Sequence, residues 1–151
     1  MKLVLQRVQQ ASVTVDGQTV ASIPKGMLIL CGVAKGDTRH DLTFLARKAS
    51  QLRIFNDEQG KMNLDIQAVQ GEFLVVSQFT LYADCSKGNR PGYHEAAPPE
   101  EGERMYLELV KALKNLGHSV QTGSFGAKMQ VMLINDGPVT IEMESRGRTR
   151  P

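Results

Sequence analysis

Apolar and polar positions alternate at Val13 and Val15, pause at Asp16-Gly17 and resume at Gln18-Thr19-Val20, the spacing of two strands joined by a two-residue hairpin turn. Ile23-Pro24 leads to a second turn at Lys25-Gly26. Met27 to Val33 is then apolar without a break, short enough for a strand buried on both faces. Asp37-Thr38 has the chemistry of a helix start, with Asp41 near the favourable end of the dipole. Leu42, Leu45, Ala46, Ala49 and Leu52 follow at helical spacing. Asn56 to Gly60 reads as a turn, and Phe73 to Val76 as another buried strand that delivers the chain into Ser77-Gln78-Phe79-Thr80-Leu81.

Asp84 to Pro99 is expected to be loop, punctuated by Gly88, Pro91, Gly92 and Pro98. A second helix is predicted from Pro99, with Glu100, Glu101 and Glu103 in its first turns and Tyr106, Leu109, Val110, Leu113 and Leu116 as its apolar stripe. Gly117 is its stop. From Val120 the chain returns to strands. Met129, Val131 and Leu133 alternate, as do Val139, Ile141 and Met143, with Gly137-Pro138 between the two runs. The expected fold is α/β of the α+β type: one domain over residues 1–145, with a curled, mainly antiparallel, barrel-like sheet and two principal helices. A basic tail at 146–151, carrying Arg146, Arg148 and Arg150, is expected to fray.

Composition changes this picture little. A chain of 151 residues, 41% hydrophobic and 23% charged, suits one domain with a single core. No stretch approaches the roughly 20 apolar residues that span a bilayer, and Lys2 and Arg7 bracket too short an apolar run for a secretory signal. A cytosolic location away from membranes is expected. The net charge of +2 lacks the basic stripe of a protein that wraps a long duplex, so DNA is not an expected partner. Cys31, in an apolar run, is expected to be buried and inert, and Cys85 to be exposed. His40, His94 and His118 are scattered and pair with no Cys, Asp or Glu at ligand spacing, so neither metal nor cofactor is expected.

Three segments can carry chemistry. Ser77 to Leu81 places polar side chains where a buried strand stops; such strand ends line pockets and present N–H groups to an oxyanion, although Ser77 and Thr80 often only bond nearby backbone there. A serine or threonine nucleophile needs a base, and neither a G-x-S-x-G elbow nor a neighbouring histidine stands beside it; His94, next to Tyr93, reads as a surface residue. Gly137-Pro138 between strands is ordinarily a turn. A cis bond there, an isomer found in about 5–6% of X–Pro bonds, would turn the flanking carbonyls to one side as a rigid wall of acceptors. Arg7 is either a solvated edge charge or a guanidinium that bonds backbone carbonyls and fixes a loop.

Taken together the segments resemble the D-aminoacyl-tRNA deacylase family of the bacterial and eukaryotic type. The resemblance runs through Gln6-Arg7-Val8, Ala11 to Val15, Arg53-Ile54-Phe55, Gly60 to Leu64, Val75 to Leu81, Gln121-Thr122-Gly123, Met129-Gln130-Val131 and Asn135 to Thr140. It is weakest beyond Ser145, so no role passes to the tail arginines. It implies a D-aminoacyl-tRNA deacylase-like fold and a homodimer that hydrolyses the ester between a D-amino acid and the 3′ adenosine of tRNA, and also glycine mischarged on alanine tRNA. It further implies a cis Gly137-Pro138 that reaches into the partner subunit's active site as a chiral wall, opposite a pocket lined by Ser77, Gln78, Phe79 and Thr80. Phe79 would lie near the terminal adenosine and Thr80 near the scissile ester. Arg7 would hold the Gly-Pro loop, and Phe125 and Met129 would border the pocket.

The resemblance also implies catalysis assisted by the RNA 2′-hydroxyl, which accounts for the missing base and leaves Thr80 a positioning role. Other readings stay open: a related tRNA deacylase of different editing specificity, a protein-catalysed small-ester hydrolase using Ser77 or Thr80, and a non-catalytic RNA-binding module.

Overall fold

The structure, a computed structural model, describes residues 1–146. Its strands are β1 (Lys2–Val15), β2 (Gln18–Ile23), β3 (Gly26–Gly32), β4 (Phe55–Asn56), β5 (Met62–Leu64), β6 (Glu72–Ser77), β7 (Val120–Thr122) and β8 (Gln130–Glu144). Two helices, α1 (Arg39–Gln51) and α2 (Pro99–Asn115), and a 3₁₀ turn (Phe79–Tyr82) complete it. Arg148 and Arg150 of the expected tail lie outside the described residues.

β1 is the spine. Its first half pairs with β3 and its second half with β2, while β8 runs antiparallel along its other edge for nearly its whole length. The main sheet order is β2-β1-β3-β6-β7. Its two ends approach one another: the Ser22 N–H on β2 donates to Gln121 Oε1 on β7 at 2.9 Å, so the sheet curls nearly closed. The pairings β3–β6 and β6–β7 are parallel, so the sheet is mixed, its antiparallel part being the three pairings made by β1. The helices supply the crossovers that parallel neighbours need.

The unbroken apolar runs are explained by burial on both faces. Met27, Ile29 and Cys31 of β3, with Phe73 and Val75 of β6, pack against Leu42, Leu45 and Ala46 of α1 and Met105, Tyr106 and Leu109 of α2. The alternate residues Leu28, Leu74 and Val76 face the inside of the curl, with Val8, Val13, Ala21 and Ile23. Burial pushes the Cys31 thiol up to about 12, as expected of an inert thiol, and Cys85 is exposed.

Two expectations are corrected. Leu116 does not complete the α2 stripe; the helix stops at Asn115, Leu116 swings out to 46% exposure, and Met105 is buried instead. Gly137-Pro138 is not a turn between two strands: β8 is one strand, and both its halves pair with β1. The helix start expected at Asp37-Thr38 is present, with Thr38 and Asp41 capping α1. Asp37 itself is buried and binds the Met1 ammonium at 2.6 Å and the Ala34 N–H at 2.7 Å. The Arg146 guanidinium lies 3.4 Å from both Asp37 and Glu95. No helix among the described residues is long and apolar enough to cross a membrane.

Candidate functional site

A cleft of about 630 Å³ opens at the carboxyl end of β6, the end of a parallel strand where ligands commonly sit. One wall is Val76, Ser77, Gln78 and Phe79; a second is Phe125, Gly126, Ala127, Met129 and Val131; Tyr93 and Ala96 to Pro99 make the third, and Lys35 stands at the rim. Parallel pairing carries the chain to this point: the Gln78 N–H donates to the Cys31 carbonyl at 2.8 Å, one step beyond the Cys31–Ser77 register pair. The 3₁₀ turn then folds against β3. It fits because residue 32 is glycine; a Cβ there would press to 3.1 Å from the Leu81 Cβ and 3.2 Å from the Gln78 carbonyl oxygen.

The turn leaves polar groups at the cleft. The first N–H groups of the turn, on Phe79 and Thr80, have no acceptor among the described residues, as at the start of any helical turn. The Gln78 side-chain amide donates to Thr80 Oγ1 at 2.5 Å, which fixes that hydroxyl just outside the lining. Phe79 is 55% exposed and meets Tyr93 edge-on, with ring centroids 5.0 Å apart. Two exposed aromatics in contact offer a face on which a flat base can stack.

Among the described residues, Lys35 and Tyr93 are the only titratable side chains in the lining, and His, Asp, Glu and Cys are absent from it. His94 is no hidden base, since its side chain is 62% exposed and directed at Asp84 and Glu95, 3.7 and 3.9 Å away. His118 lies elsewhere, bonded to Ser50 Oγ at 2.5 Å. Among the described residues no group of three or more His, Cys, Asp or Glu is placed to hold a metal.

The second predicted segment forms a separate feature. Between the Gln6–Thr140 and Val8–Asn135 pairs, β8 spends three more residues than β1, so 136–139 bulge outward. The Gly137–Pro138 peptide bond is cis, and both residues are exposed. Asn135 braces the bulge from inside, its amide donating to the Arg7 carbonyl at 3.0 Å and the Val139 carbonyl at 3.1 Å. A Cβ at Gly137 would collide with Asn135 Oδ1, so the brace requires glycine.

Arg7 is 6% exposed, which removes the solvated-edge reading. Its Nε donates to the Asp136 carbonyl at 2.8 Å, and a second nitrogen to the Ile54 carbonyl at 2.6 Å and Asn56 Oδ1 at 3.3 Å. The Asp136 carboxylate stands 3.2 Å from Nε. The β4–β5 ribbon, which supplies Asn56 and begins just after Ile54, is itself clamped. Arg53 donates to the Asn63 backbone and side chain at 3.0 and 2.8 Å, and Asp57 accepts from Gln59 and Lys61 across the turn.

Of the residues singled out in the sequence, Ser77, Gln78, Phe79, Phe125 and Met129 meet in the cleft, with Thr80 beside it. Arg7, Gly137 and Pro138 meet at the bulge, and neither Gly137 nor Pro138 lines the cleft of its own chain. Sequence reasoning missed Lys35, Tyr93 and Pro98 in the cleft and the bracing roles of Asn135 and Asp136.

Residues 4–144 match the family model described as D-Tyr-tRNA(Tyr) deacylase. The chain is similar to a D-aminoacyl-tRNA deacylase of Thermosipho africanus, 53% identical over 97% of this chain and 98% of that one. It is also similar to one of Halalkalibacterium halodurans, 54% identical over 97% of this chain and all of that one, 100%. Among solved structures, one named c-Myc DNA Unwinding Element Binding Protein superposes with a TM-score of 0.90 at 44% identity, over 95% of this chain and 98% of that one.

Proposed function

Because the chain belongs to the D-Tyr-tRNA(Tyr) deacylase family, we propose that it hydrolyses the ester joining a D-amino acid to the 3′-terminal adenosine of tRNA. Glycine mischarged on alanine tRNA is a second substrate, and the cytosol is the site of action. The observation that carries this reading is the makeup of the cleft. It is shaped and mostly apolar, with an exposed Phe79–Tyr93 pair and free N–H groups at its strand end, yet no His, Asp, Glu or Cys among the described residues of its lining. Such a cleft binds and orients, so the base must come from the substrate. An RNA 3′ end carries one in reach: the 2′-hydroxyl beside the ester.

In this mechanism the terminal base rests on Phe79, and the ester carbonyl oxygen faces the Phe79 and Thr80 N–H groups, which stabilise the developing oxyanion. The 2′-hydroxyl orients and activates a water. The water oxygen bonds to the carbonyl carbon, the bond to the 3′-oxygen breaks, and that oxygen leaves with a proton. Ser77, Gln78 and Thr80 position the ester, and the gain comes from orientation and preorganised dipoles. Thr80 is no nucleophile here, since its hydroxyl already accepts from Gln78 and has no base beside it.

Chirality is read by a second copy of the chain. In a homodimer the Gly137-Pro138 bulge of each copy enters the other's cleft, where its backbone carbonyls accept the α-ammonium of the substrate. No space then remains on the side where an L side chain projects. D side chains point outward, and glycine has nothing to clash, so selection is by rejection. Three features support this: the bulge is exposed, it is braced by Arg7 and Asn135, and it is absent from its own cleft. In addition, the outer edge of β8 has no pairing partner among the described residues and exposes Met132 at 61% and Ile134 at 46%, an edge that suits a second subunit.

The test uses D-tyrosyl-tRNA and the same substrate ending in 2′-deoxyadenosine. The protein is expected to cleave the first and to lose about a hundredfold or more on the second. Undiminished cleavage of the deoxy substrate contradicts RNA-assisted chemistry; no cleavage of the first contradicts the assigned reaction.

A further inference from the structure

Among the described residues Lys35 is the one charged residue that lines the cleft, and they leave that charge uncompensated. It stands where β3 has run out, and its backbone is held on both sides. Its N–H donates to the Glu95 carbonyl at 3.0 Å, and its carbonyl accepts from the Arg146 guanidinium. The neighbouring Ala34 pairs with Ala96, so the segment is stitched to the loop that carries Tyr93. The side chain is exposed at the rim and has no carboxylate within 4.0 Å among the described residues.

The nearby acids are already engaged. Asp37 is buried against the Met1 ammonium and Arg146, and Glu95 faces Arg146 and His94. A firmly based ammonium without a partner, beside an exposed aromatic pair, is a site for an anion attached to a flat ring.

We infer that Lys35 binds the phosphodiester immediately 5′ of the terminal nucleoside. This rests on the deacylase reading, in which the adenine lies on Phe79 and the ester lies in the cleft. The first negative charge along the nucleic acid from that point is this phosphodiester, and Lys35 is the exposed cation that lines the cleft among the described residues. The contact reads no base. It fixes register, so that a correctly docked strand brings its ester to the Phe79 and Thr80 N–H groups.

The experiment compares two D-tyrosyl esters, one of adenosine, which lacks any phosphate, and one of a cytidine-cytidine-adenosine trinucleotide. Lys35→Met keeps the aliphatic stem and removes only the charge. It is expected to lower the trinucleotide-to-adenosine ratio of kcat/KM about tenfold at low salt, mainly through KM. Lys35→Arg is expected to restore most of the ratio. The salt dependence of trinucleotide binding should lose about 0.7 from its log–log slope, one single-strand phosphate contact.

A ratio unchanged in Lys35→Met, or a loss of equal size on both esters, overturns the inference while leaving the deacylase reading intact. If the wild-type chain cleaves neither ester nor full D-tyrosyl-tRNA, the deacylase reading falls and the Lys35 assignment falls with it.

Discussion

Arg7 shows how one side chain links distant parts of this fold. A guanidinium presents several donors in a rigid fork, and here the fork spans the Ile54 carbonyl on one side and the Asp136 carbonyl and carboxylate on the other. Arg7→Ala strands the buried Ile54 carbonyl and the part-buried Asp136 carbonyl and is expected to cost about 2 kcal/mol of unfolding free energy in a urea titration. Arg7→Lys recovers only part of this, because one ammonium cannot span both sides. Wild-type stability in Arg7→Ala would show that the bulge does not depend on this brace. The two readings of Arg7 open in the sequence, solvated edge charge or buried clamp, differ in burial, which the residue's neighbours in sequence do not reveal. Lys35 and Tyr93 were hidden for a related reason: each joins the cleft by contacts to segments far away in sequence.

Among the elements, the apolar runs at Met27 to Val33 and Phe73 to Val76 were legible as strands because burial on both faces leaves no polar position to confuse the pattern. That the two strands pair in parallel was not legible, since periodicity reports which faces are buried and not which way a neighbour runs. In the sequence the bulge in β8 looks like a turn, because the apolar alternation breaks at Asn135 to Pro138 whether the chain reverses or only detours. The pairing of both halves with β1 decides between these, and it is a long-range fact.

Helix ends were easier to read, since caps are local chemistry, though Leu116 beyond the last turn of α2 was not. Where α2 stops, His118 bonds Ser50 at the end of α1 and meets the Phe73 ring edge-on. Desolvation holds its pKa below the ordinary histidine value of 6.5, against a smaller opposing effect of Asp65. A depressed folded pKa means that the unfolded chain takes up the proton first. The stabilisation is therefore complete above about pH 6.5 and is lost as pH falls through the lower folded value. Between about pH 7.5 and pH 5.5 the wild-type Tm should fall further than that of His118→Gln. Equal shifts in the two proteins would contradict this.

At the scale of the whole molecule, the cleft and the bulge are complete features of one chain that do not meet within it. The proposed function joins them across two copies, and a symmetric pair makes this countable. Phe79→Ala disables a cleft and Gly137→Ala a bulge, the latter because its Cβ collides with Asn135. Each variant alone should be inactive. Unfolded and refolded together, they should recover about one quarter of wild-type activity, since half the dimers are mixed and each carries one intact site. No recovery, with mixed dimers demonstrated, would place cleft and bulge in the same subunit.

The central claim, that this cleft cleaves the ester of D-aminoacyl-tRNA and excludes its mirror image, is tested most directly by measuring deacylation of D-tyrosyl-, L-tyrosyl- and glycyl-tRNA in parallel. The account predicts rapid cleavage of the D and glycyl substrates and none of the L substrate above the spontaneous rate. Cleavage of L-tyrosyl-tRNA as fast as its D counterpart would contradict it.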